Sequence, residues 1–160
     1  MKKKSVIFLC TGNICRSPIG EALLRHAIDG LPASSKLKDL EVISAGTSAM
    51  LGWPASAKSV KALRDVGVSL VDHKPRQINK TLLKDCFALI AMDQGHLDNI
   101  KYSYRDTLPP HCFKLMSLVE NAESDDVLDP YGYSQEIYND VRDEIMTAIA
   151  PLVKYLEENL

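Results

Sequence analysis

The chain has 160 residues, 46% of them hydrophobic and 25% charged, and a net charge of −2. That is the size and composition of one globular domain, expected over residues 1–160, which buries enough surface to fold without disulfides or a bound metal. The charge balance leaves no electrostatic footprint for nucleic acid, and no run reaches the roughly 18–20 apolar residues of a membrane-spanning helix, so neither partner is expected.

The N-terminus reads MKKKSVIFLCTGN. Its apolar run, VIFLC, is short and gives way at once to polar residues, so no signal peptide is expected and the location is read as cytoplasmic. Four cysteines in that compartment are expected to be reduced, each with a packing, catalytic or redox role. The first predicted strand is Ser5 to Cys10. A helix is predicted from Pro18 to about Ile28, with Ser17 as N-cap and Pro18 at its first position. A second strand covers Glu41 to Ser44, and a second helix runs from Pro54 to Val66, closed by Gly67. The third strand is Phe87 to Met92, followed by a helix from Asp93 to about Lys101, and the fourth is Cys112 to Leu118. The last helix shows Ile137, Val141, Ile145, Ala148, Leu152 and Leu156 on one face, with Ser134 as N-cap. Pro151 inside it is expected to bend or split it. Short, near-continuous apolar strands alternating with helices predict an α/β fold: one three-layer α/β/α domain around a four-stranded parallel sheet. In such sheets ligands sit beyond the carboxyl ends of the strands, where Cys10 lies.

The string CTGNICRSPIGEA begins there. Cys10 and Cys15 supply two possible metal ligands, whereas a structural or catalytic site needs three or four, and His26, His73, His96 and His111 are scattered. The cysteines are spaced too widely for a thioredoxin-type pair. A strand, a loop with Gly12 and a helix start instead suit an anion cradle, in which successive backbone N–H groups point at one ligand. Asn13 tolerates a left-handed backbone, and Arg16 adds a planar fork matched to phosphate oxygens. A positive cradle favours the ionised, nucleophilic form of a cysteine at its edge, and Ser17 can hydrogen-bond that sulfur. A general acid is then needed to protonate the leaving oxygen. The acidic candidates are Asp125 and Asp126, Asp129, and Asp140 with Asp143 and Glu144. The last group reads as a solvated helix face, whereas Asp129 precedes Pro130 on an extended loop.

The string CTGNICRSPIGEA resembles the signature of the low-molecular-weight protein tyrosine phosphatases. SAGT at 44–47, HKPRQI at 73–78, AMD at 91–93 and LDPYG at 128–132 resemble further family landmarks in the same order. The resemblance implies a flavodoxin-like architecture and hydrolysis of phosphotyrosine through a phosphocysteine on Cys10. Arg16 and the loop of Thr11, Gly12, Asn13, Ile14, Cys15 and Ser17 would bind phosphate, and Asp129 would act as general acid and then base. It further implies a supporting network of Asn13, Ser17, Ser44 and His73, a cleft wall at Tyr131, and a reversible Cys10–Cys15 disulfide that shields the nucleophile. No cofactor or metal is implied. The expected partners are a phosphorylated protein substrate and inorganic phosphate or other oxyanion inhibitors, and the chain is expected to be a monomer. Cys86 and Cys112 read as core.

Three features bear on the substrate. Met50 stands where tyrosine-specific members usually place an aromatic residue, and the nearby Trp53 is a candidate substitute. The stretch from Asp126 to Ile145 resembles bacterial protein-arginine phosphatases of the same fold equally well. Those enzymes carry threonine where this chain has Ile14, and an apolar, branched Ile14 suits a phenyl ring rather than a guanidinium. Thioredoxin-coupled arsenate reductases share the loop but need two further cysteines near one another, whereas Cys86 and Cys112 lie far apart in sequence. A non-catalytic phosphate-binding module would need neither Asp129 nor a nucleophilic Cys10.

Overall fold

The computed structural model describes residues 2–70 and 72–160; Met1 and Val71 lie outside the described residues. Four parallel strands form the sheet: β1 (Ser5–Cys10), β2 (Glu41–Gly46), β3 (Cys86–Ala91) and β4 (His111–Lys114), in the order β2-β1-β3-β4. The helices are α1 (Arg16–Asp29), α2 (Ala57–Arg64), α3 (Lys80–Lys84), α4 (Gln94–Ser103) and α5 (Gln135–Asn159).

Alternate residues of β1 feed two separate cores, as the two-residue period of a strand requires. Val6 and Phe8 pack with Ile19, Leu23 and Leu24 of α1 and with Val141, Ile145 and Leu152 of α5. Ile7 and Leu9 face the other way, against Leu83 of α3 and Ile100 of α4. All six residues of β1 are buried, which explains why its sequence is a continuous apolar run. The three-layer α/β/α arrangement with a four-stranded parallel sheet is thus the one expected from the sequence.

Several boundaries differ from expectation. Helix α1 begins at Arg16 with Cys15 as N-cap, so Ser17 and Pro18 lie inside its first turn. Pro18 is tolerated there because first-turn N–H groups have no intrahelical acceptor. Strand β4 ends at Lys114, and Leu115–Leu118 form a 3-10 turn that drops Leu115 and Met116 into the α5-side core. Helix α5 runs through Pro151 as one element instead of splitting. Ala148, Leu152 and Leu156 are buried on one face across the proline, so packing holds the helical register at the cost of one hydrogen bond. Thr147, whose carbonyl loses its partner, is exposed to water. Ser134 caps this helix as expected, accepting from Ile137 N–H.

Candidate active site

The loop leaving β1 curls at the carboxyl edge of the sheet, and its carbonyls are all held from outside. Thr47, Ser48 and Met50 donate backbone N–H groups to the carbonyls of Cys10, Thr11 and Gly12, and Ser56 donates to Ile14. The Asn13 carbonyl accepts from His73 Nε2 at 2.6 Å, and the Cys15 carbonyl accepts from Ser59 Oγ at 3.2 Å. With every carbonyl from Cys10 to Cys15 engaged outward, the N–H groups are left for the inside of the curve, which is the arrangement that binds an anion.

Two backbone features allow the curl. Asn13 has φ of 60°, the left-handed region that asparagine tolerates. Gly46, paired with Cys10 at the end of β2, sits so close that a Cβ there would run into the Thr11 carbonyl.

Asn13 is also the hub of the expected network. Its side-chain amide donates to Ser17 Oγ at 2.8 Å and to Ser44 Oγ at 2.9 Å, while its Oδ1 accepts from Arg76 N–H. Ser44 in turn donates to Glu21 Oε1, a buried carboxylate that the sequence reading overlooked. His73 donates Nε2–H to a carbonyl, so a neutral imidazole suffices, and burial pushes its pKa below 6.5. Ser17 Oγ, holding the Asn13 bond, lies 2.9 Å from Cys10 Sγ.

Arg16 is 3% exposed and fixed by partners distant in sequence. Its Nη1 donates to Asp93 Oδ2 at 2.8 Å and to the Val127 carbonyl at 3.0 Å, and its Nη2 lies 3.7 Å from Asp129 Oδ2. Burial alone would raise the Asp93 pKa, but the hydrogen bond and charge of Arg16 and the hydrogen bond from His96 backbone N–H outweigh it and hold the carboxyl below its ordinary value. Asp129 is half exposed, and its Oδ1 accepts from Tyr131 N–H, which sets the turn of the DPY segment.

A single cleft is lined by Cys10, Thr11, Gly12, Ile14, Cys15, Arg16, Ser48, Met50, Asp129 and Tyr131. The structure therefore brings Cys10, Arg16 and Asp129 together, although Asp129 is far along the chain. Ile14 and Met50 line the cleft and pack with the buried Tyr138, and the exposed Tyr131 lines the same cleft. Trp53 is 56% exposed and lies outside the cleft lining, so it does not take the position left by Met50. Cys15 Sγ is 3.3 Å from the Tyr138 hydroxyl, and burial pushes its thiol pKa up. Cys86 is pushed up to about 12 by burial, in keeping with a core residue. Among the described residues no three His, Cys, Asp or Glu side chains converge in a way that could hold a metal ion, and no helix is long and apolar enough to cross a membrane.

His96, Glu21 and Tyr138 are site residues that the sequence does not single out, whereas Asp93 falls within the AMD string. Asp at a predicted helix start is a favoured N-cap, and Asp93 does cap α4, accepting from His96 N–H.

An α/β/α domain that carries a C-x5-R anion loop at the end of its first strand, with an acid, Asp129, in the same cleft, has the parts of one class, the cysteine-based phosphatases. The sequence model of the low molecular weight phosphotyrosine protein phosphatases matches residues 5–160. A protein-arginine-phosphatase of Geobacillus stearothermophilus is 32% identical over 95% of this chain and 95% of its own length. The low molecular weight protein-tyrosine-phosphatase Etp of Escherichia coli K12 is 31% identical over 88% of this chain and 86% of its own. Among solved structures, the tyrosine phosphatase amsI of Erwinia amylovora superposes with a TM-score of 0.82 at 26% identity, covering 96% of this chain and 93% of that one. The chain belongs to the low molecular weight phosphotyrosine protein phosphatase family.

Proposed function

We propose that this chain, as a single domain over residues 1–160, is a protein tyrosine phosphatase that acts on phosphorylated proteins in the cytoplasm, as a monomer and without a metal or organic cofactor. The substrate phosphoryl group seats in the loop of Thr11 to Ser17, against its inward N–H groups and the Arg16 fork. Cys10 Sγ attacks phosphorus in line, and the bond to the phenolic oxygen breaks as Asp129 donates its proton to that oxygen. The resulting phosphocysteine is opened by a water whose proton Asp129 takes back. Phosphate leaves, and the Ser17 hydroxyl stabilises the departing Cys10 thiolate. Inorganic phosphate and other tetrahedral oxyanions compete for the same cradle. A peroxide would oxidise Cys10 to the sulfenic acid, and Cys15, leaving its bond to Tyr138, would displace water to form a Cys10–Cys15 disulfide that a reducing thiol reopens.

The observation that carries this reading is the shared cleft of Cys10, Arg16 and Asp129 beneath a cradle whose outward carbonyls are all occupied. A cleft lined by Ile14, Met50 and Tyr131 favours a phenyl ring, and Tyr131 stacking on that ring contributes about 1 kcal/mol. Arginine phosphatase is the second reading, supported by the 32% identity to the Geobacillus enzyme. A guanidinium needs hydrogen-bond acceptors along its edge, and Ile14 offers none at the loop. Purified protein should hydrolyse p-nitrophenyl phosphate with a chelator present, and Cys10→Ser should abolish this. Phosphotyrosine and phosphoarginine peptides should then be compared, with Ile14→Thr alongside. Preference for phosphoarginine in the unaltered chain would replace the first reading with the second.

A further inference from the structure

The imidazole of His96 joins two parts of the site that neither the reaction scheme nor the Asn13 network uses. It is 4% exposed, and its Nε2 lies 2.9 Å from Thr11 Oγ1, across 85 positions of sequence. Its Nδ1 lies 3.2 Å from Asp93 Oδ1, the oxygen that also accepts the His96 backbone N–H as the cap of α4. The other oxygen of the same carboxylate, Oδ2, holds Arg16. Nδ1 is off the line of a well-formed hydrogen bond and has no other partner among the described residues.

That placement favours the Nδ1–H tautomer of a neutral ring. An Nδ1 lone pair turned toward a carboxylate oxygen would repel it, whereas an N–H there is attracted. Nε2 of a neutral imidazole is then an acceptor, and the Thr11 hydroxyl must donate to it. Burial, which pushes the His96 pKa down, agrees with a neutral ring. Thr11 is the first residue after the nucleophile, and its carbonyl is held by Ser48 N–H. Its side chain on His96 and its carbonyl on Ser48 together orient the Cys10–Thr11 stretch, where the cradle begins. Arg16, at the other end of the cradle, depends on the carboxylate against which the same imidazole rests.

We propose that His96 is a positioning residue for phosphate binding, its Nε2 accepting the Thr11 hydroxyl and its Nδ1–H bracing Asp93 against Arg16, so that one buried side chain holds both ends of the cradle. The inference rests on the reading of residues 10–17 as a phosphate site, but it does not need turnover for its test. Two substitutions separate its arms. In His96→Gln the side-chain amide reaches the Nε2 position and keeps the acceptor for Thr11. In His96→Asn it reaches only the Nδ1 position and keeps the donor for Asp93.

Isothermal titration of inorganic phosphate into the intact protein and its variants reads the effect directly. His96→Ala should weaken phosphate binding about tenfold, within the range for residues in one hydrogen-bond network. Thr11→Val should weaken it about three- to tenfold in the unaltered chain and in His96→Gln, and not further in His96→Ala or His96→Asn. This dependence on the residue at 96 is what a merely structural histidine would not produce. If His96→Ala does not fold, the Gln and Asn backgrounds carry the comparison alone. Additive losses from Thr11→Val in every background, or His96→Ala binding within twofold of the unaltered chain, overturn the inference and leave the phosphatase reading standing. Failure of the unaltered chain to bind phosphate overturns both.

Discussion

Ser17 Oγ lies 2.9 Å from Cys10 Sγ while accepting a hydrogen bond from the Asn13 side-chain amide. With Asn13 donating to its oxygen, the Ser17 hydroxyl can give its proton to the Cys10 sulfur at 2.9 Å or to the Ala45 carbonyl at 3.5 Å, and a charged sulfur draws it to the shorter contact. That bond matters most when sulfur carries charge, before attack and again as it leaves phosphorus. Ser17→Ala should therefore lower kcat about tenfold or more, the worth of a hydrogen bond to a charged group, with KM falling alongside it. Stopped-flow release of p-nitrophenol checks this. A larger burst followed by a slower steady state is expected, because breakdown of the phosphocysteine becomes limiting.

Asp129 stands 3.7 Å from Arg16 on the open side of the cleft. Asp129→Ala should cost about 10²–10⁴ in kcat with phenyl phosphate, as loss of a general acid does. The loss should be smaller with p-nitrophenyl phosphate, whose leaving oxygen needs little protonation. Turnover across a series of aryl phosphates measures it, and a steeper dependence on leaving-group basicity in the variant is the expected result.

Gly46 is required by close approach, since a methyl group there meets the Thr11 carbonyl, a backbone atom that cannot rotate away. Gly46→Ala should destabilise the fold by about 1–3 kcal/mol and push the cradle out of shape. Thermal unfolding and phosphate inhibition, measured together, should both deteriorate. Gly20→Ala, which meets the Phe8 ring in the core, should lower stability without altering phosphate inhibition of the folded protein.

His73 and His96 share a pH consequence. Burial lowers both pKa values below 6.5, so the unfolded chain binds protons that the native one does not. The stability they contribute is present above about pH 6.5 and is lost as pH falls below it. The melting temperature should drop between pH 7 and pH 5, and His73→Asn should flatten that slope.

Much of this was legible in the sequence where local pattern and local structure coincide. Strand β1 was read to the residue, because a fully buried parallel strand is a continuous apolar run ended here by a loop glycine. Cys10, Arg16 and the anion loop followed from residue type and spacing alone. Asp129 was one acid among several until the likeness around DPY singled it out, since the distance from Cys10 to Asp129 is set by the fold and not by any local signal. The same reason hides His96, Glu21 and Tyr138, each of which is defined by a partner on another element. Pro151 does not split α5 because propensity describes an isolated helix, whereas Ala148, Leu152 and Leu156 hold α5 in place through tertiary packing. Strand β4 was overextended because the apolar residues Leu115 and Met116 enter the core from a 3-10 turn, which periodicity does not separate from a strand.

The central claim is a covalent phosphocysteine on Cys10. Rapid quenching of Asp129→Ala into denaturant during turnover of p-nitrophenyl phosphate, whose leaving group needs no acid, followed by fragment mass spectrometry, tests it most directly. A single added phosphoryl group on Cys10, chased away by prolonged incubation, is the predicted result. A phosphoryl group on any other residue, or Cys10→Ser that turns over at the unaltered rate, would contradict it.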